Sequence, residues 1–138
     1  MKKLLLLLFL IPNLVTAESI QDYLDNNPKW SEETKEIIYL TTRCSGILQV
    51  VGQHRIVVGD QEYGPVLLEL GRDLGLRSGQ LALESGLSME NIKERMIYWM
   101  KRYADDSISN TDNYNNIFVG DFADDFAFCG ALVKAINK

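Results

Sequence analysis

Four side chains in this 138-residue chain combine a type and a position that could do chemistry: Cys44, His54, Asp125 and Cys129. The two cysteines are the only ones present, they stand far apart in sequence, and no CxxC occurs. A zinc site needs about four Cys, His or carboxylate ligands at close spacing, and His54 is the only histidine. We therefore expect no metal and no cofactor. A Cys–His catalytic pair would need a thiol activated by a neighbouring base. Cys44 instead shares a helical face with Ile37, Leu40, Ile47, Leu48 and Val51, which suits a structural sulfur. An even cysteine count in an exported chain reads as a disulfide. The expected bond is Cys44 to Cys129.

Asp125 is the most informative carboxylate. The apolar residues Tyr114, Phe118, Phe122, Phe126, Cys129, Val133 and Ile136 recur at helical spacing. At about 100° per residue, Asp125 projects between Phe118 and Leu132, inside that stripe. A carboxylate there must find a hydrogen-bond or cationic partner, or accept a raised pKa. The same arithmetic carries the stripe of the Cys44 helix on to His54 and Arg55. Asp125 with His54, or with a Glu, is thus the candidate for acid/base chemistry, as in a small carboxylate-dependent hydrolase. The competing reading is a buried structural pair, the commoner fate of such a carboxylate.

The elements that must position these residues are helical. Lys2 and Lys3, the apolar run Leu4 to Ile11, the break at Pro12-Asn13 and the small residues Val15-Thr16-Ala17 form an export signal. We expect cleavage after Ala17 and a bacterial periplasmic or secreted address. The run to Ala17 falls short of the about 20 apolar residues that a membrane span needs. Residues 18–138 are then one helical domain, an all-α bundle of about five helices joined by one interhelical disulfide.

A first helix spans about Ile20 to Asn26. Ser31 is the expected cap of the second, whose continuation through Gln53 to Gln61 is open between helix and extended chain. Gly64-Pro65 marks the start of a third helix, in which Gly71, Gly75 and Gly79 predict either a break or a closely packed neighbour. Ser88 caps a fourth, lined by Met89, Ile92, Met96, Trp99, Met100 and Tyr103. The polar stretch Asp105 to Asn113 reads as a solvated loop, because the spacing of a calcium loop is absent. The last helix is expected over about Asp112 to Ile136.

The formal charge is −5, and losing Lys2 and Lys3 with the leader takes it to −7. An acidic surface argues against nucleic acid and anionic membrane as partners. No P-loop, GxSxG, HExxH or GxGxxG is present. The expected function is binding of a partner protein, basic if the overall charge steers encounter. A hydrolase using Asp125, and a carrier of a small apolar ligand, are the alternatives.

Overall fold

Helical periodicity in the sequence is realised as five α-helices in the computed structural model, which describes residues 18–138. The expected leader and the expected cleavage after Ala17 lie outside the described residues. Helix α1 covers Ile20–Asn26 and begins where the Ser19 hydroxyl accepts the Asp22 amide at 3.1 Å. A 3-10 turn at Trp30–Glu32 follows, in which Trp30 sets its ring edge-on to Phe128. Ser31 belongs to this turn and does not cap the second helix. The extended backbone of Glu33 starts that helix with no side-chain cap.

Helix α2, Thr34–Val57, is the central element. It carries helix geometry through His54 and Arg55 before turning at Gly59, whose φ of 97° needs a glycine. The strand-like run Ile56-Val57-Val58 has no partner strand among the described residues, and the helix continues through Val57 until the turn. The stripe Leu40, Cys44, Ile47, Leu48 and Val51 is buried as its spacing predicts. Each such aliphatic side chain contributes about 1.5–3 kcal/mol on leaving water.

Helix α3, Tyr63–Glu84, packs antiparallel on α2 and is unbroken. Of the two outcomes the glycines allowed, the close neighbour is the one found. A Cβ on Gly71 would stand 2.7 Å from the Gln49 side chain, and one on Gly75 2.8 Å from Met96 Sδ. The contact is tight enough that Ser45 donates its hydroxyl to the Gly71 carbonyl at 2.6 Å. Thr41 and Thr42 likewise share hydrogen bonds with Ser78 across the same interface.

Helix α4, Met89–Tyr114, starts at Ser88, whose hydroxyl accepts the Asn91 amide. It runs straight through Asp105 to Asn113, correcting the expected loop. That stretch has no Gly or Pro to stop it, and the i,i+4 pairs Lys101–Asp105 and Arg102–Asp106 lie along it. The helix ends at Asn115 in the left-handed conformation. The last helix, α5, therefore spans Gly120–Ile136 and not Asp112 onward, and Tyr114 is an exposed residue of α4. Cys44 and Cys129 are bonded with their Cα atoms 5.2 Å apart, which pins α5 to α2. No helix of the described residues is long and apolar enough to cross a membrane.

Candidate functional site

Asp125 is 2 % exposed and sits where its helix faces α2, one turn before Cys129. Its partner is Arg43, not His54 or Arg55. Arg43 precedes Cys44 on α2 and is itself 2 % exposed, with Nη2 2.6 Å from Asp125 Oδ2. The disulfide register explains this pairing. Joining Cys44 to Cys129 places the neighbour of one cysteine against the residue one turn before the other. His54 lies about 15 Å further along the α2 axis from Cys44 at 1.5 Å per residue, beyond the reach of Asp125.

The pair is the centre of a closed network. Tyr103 of α4 donates its hydroxyl to Asp125 Oδ2 at 2.7 Å and accepts from Arg43 Nε at 2.6 Å. The third guanidinium nitrogen, Nη1, donates to the Tyr39 hydroxyl at 3.1 Å. The remaining carboxylate oxygen, Oδ1, accepts the backbone amide of Ile20 at 2.8 Å, so α1 is fastened to the same group. The Arg43 guanidinium also lies 4.5 Å from the centroid of Trp99, in cation–π range.

Electrostatics follow from this enclosure. Burial works against charge on Arg43, yet Tyr103, Asp125 and Tyr39 outweigh it and hold the guanidinium firmly charged. Burial pushes the Tyr103 phenol well above the tyrosine range, only partly opposed by Arg43, and the Tyr39 phenol moves up for the same reason. Tyr103 is therefore a neutral donor and not a nucleophile at physiological pH. A polar cleft of about 280 Å³ between α4 and the start of α5 reaches this network, with Arg102, Asp106 and Asp121 nearer its mouth. Burial raises the Asp106 carboxyl above its ordinary range, although Arg102 opposes the shift. Each oxygen of Asp125 already has a donor, and each nitrogen of Arg43 an acceptor. The arrangement holds four helices, α1, α2, α4 and α5, together through one buried carboxylate, whose three hydrogen bonds all go to the protein itself.

His54 belongs to a different feature. It lies in an open apolar groove of about 870 Å³ floored by α2 and walled by α3 and α4. Helices α3 and α4 pack closely near Gly75 and Gly79 and leave the groove between them further along. Its aliphatic residues stand unusually far out of the fold: Val57 is 74 % exposed, Ile97 65 % and Ile108 60 %. Sequence reasoning passed over this groove because its residues lie on three elements. It passed over Arg43 because a single arginine in a helix reads as surface. Among the described residues, no three His, Cys, Asp or Glu side chains cluster as metal ligands would. Comparison with protein-family models, with curated proteins and with solved structures found no match.

Proposed function

We propose that the chain is a small binding module of the bacterial envelope, exported by its leader and acting as an inhibitor, immunity protein, chaperone or assembly factor through contact with a partner protein. The observation that carries this reading is the exposed aliphatic groove over α2, α3 and α4. Water-exposed Val57, Ile97 and Ile108 are costly to hydrate, and an apolar patch of this kind marks an interaction surface. The Cys44–Cys129 bond supports an oxidising address.

The hydrolase reading draws less support, since Asp125 is bound by Arg43, Tyr103 and the Ile20 amide and not by His54. The carrier reading would favour an enclosed cavity, whereas the groove lies open along three helices. The test is affinity capture from envelope extract with the tagged, disulfide-bonded protein, beside its Val57→Glu variant. A partner that binds saturably to the first and is lost from the second is the expected result. The absence of any saturable protein partner would remove the reading.

A further inference from the structure

The groove has a charge opposite to that of the chain. Among its lining residues there is no Asp or Glu, although the protein carries 19 acidic residues against 14 basic ones. Arg72 of α3 and Lys101 of α4 stand on its two walls, and His54 lies on its floor. Arg72 makes no ion pair among the described residues, and the Lys101 pair with Asp105 is solvent-exposed on both sides. Such exposed pairs are worth about 0–1 kcal/mol and exchange readily for another carboxylate.

The shape is equally specific. The floor runs from Gln49 to Val57 along one face of α2, about 12 Å at 1.5 Å per residue, and the α4 wall from Ile97 to Ile108 spans about 16 Å. This is the length of two to three helical turns. A trough between two helices, lying over a third, has the form that a fourth helix fills in a bundle.

We propose that the groove receives an amphipathic helix of a partner protein, apolar toward Val57, Ile97 and Ile108 and acidic along the edges that meet Arg72 and Lys101. This rests on the binding-module reading and names the partner's contact surface. It reverses the sign expected from net charge alone. Screening at physiological salt falls off over about 8 Å, so acidic residues beyond that distance weigh less than Arg72 and Lys101, and an acidic helix would take Lys101 over from Asp105. A second copy of this chain, or an anionic amphiphile, is the rival occupant.

The test uses a display library of amphipathic helical peptides of about 14 residues, whose apolar positions span about 16 Å to match the α4 wall of the trough. Leucine is fixed at i, i+4, i+7 and i+11, and the flanking positions are varied among Glu, Lys and Gln. Selection on the wild-type protein is expected to enrich Glu at the flanks. The double variant Arg72→Glu/Lys101→Glu is expected to switch the preference to Lys. Ile97→Asn should weaken the selected peptide about tenfold or more, as loss of a central apolar anchor does. Both variants change exposed side chains, and their far-UV circular dichroism melts check that the fold is kept.

Enrichment of Lys on the wild type overturns the proposal, as does peptide binding indifferent to Ile97→Asn, or no enrichment at all. So does a dimer in sedimentation that Ile97→Asn disperses, or tighter binding of decanoate than of any selected peptide. The broader reading fails separately. A captured envelope protein retained equally by the groove variants keeps the binding module and removes the groove helix.

Discussion

Replacing Asp125 by Ala tests whether the buried network is structural. The substitution strands the Arg43 guanidinium, 2 % exposed, and removes the acceptor of the Ile20 amide at the start of α1. Breaking a buried ion pair from one side costs about 3–5 kcal/mol. The lower end applies here, because Arg43 keeps the Tyr39 and Tyr103 hydroxyls and the face of Trp99. The orphaned amide adds about 1 kcal/mol. The total is about 4 kcal/mol, a large part of the about 5–15 kcal/mol that holds a domain together. The assay is urea unfolding followed by tryptophan fluorescence, to which Trp99 reports directly, and by circular dichroism. The double replacement Arg43→Met/Asp125→Leu should recover much of the loss, since it leaves no buried charge. A cost for Asp125→Ala below about 1 kcal/mol, the range of surface changes, would refute the argument. So would a double variant less stable than Asp125→Ala alone.

Three further outcomes follow from the same geometry. The Cys44–Cys129 bond spans a sequence separation of 85, for which the chain-entropy model gives about 4–5 kcal/mol. Cys129→Ser should therefore lower Tm markedly, and a reductant should do the same to the wild type but not to the variant. The raised Tyr103 and Tyr39 phenols bind their protons more tightly folded than unfolded. Their contribution is complete below the unfolded phenol pKa of about 10 and is lost as pH rises beyond it. Tm should fall steeply on the alkaline side, and less steeply in Tyr103→Phe. A Cβ on Gly52 would stand 2.8 Å from the Leu68 backbone nitrogen, so Gly52→Ala should cost about 1–3 kcal/mol by forcing α2 from α3. Gly79 faces only the flexible, exposed Met89, and Gly79→Ala should be neutral or stabilising in thermal melts, through about 1 kcal/mol of helix propensity.

The legible parts of the chain were those with a period. The α2 stripe around Cys44 and the Ser88 start of α4 follow directly from residue spacing, and the disulfide follows from two sulfurs on two apolar faces. The boundary between α4 and α5 was not legible. Polarity was read as loop across Asp105 to Asn113, whereas a helix is ended by backbone geometry, here the left-handed Asn115. The placement of Asp125 inside an apolar stripe correctly demanded a partner. Choosing Arg43 required using the disulfide as a register, because His54 is near in pattern but distant in space. The groove is illegible for another reason: no single helix shows it, and its acid-free lining emerges only when three helices are assembled.

The amide of Ile20 and the carboxylate of Asp125 join the first helix of the described residues to the last. Arg43 is thus made before its countercharge, which lies 82 residues later in the chain. Helices α2 and α3, neighbours in sequence and stitched by hydroxyls and glycines, can assemble locally and quickly. In that early hairpin the guanidinium is still hydrated, and the sulfur of Cys44 has no partner. A chain that stops short of Asp125 lacks both the carboxylate and the second thiol. Closure of the core around Arg43 therefore waits for α5, which brings the carboxylate and the second sulfur together.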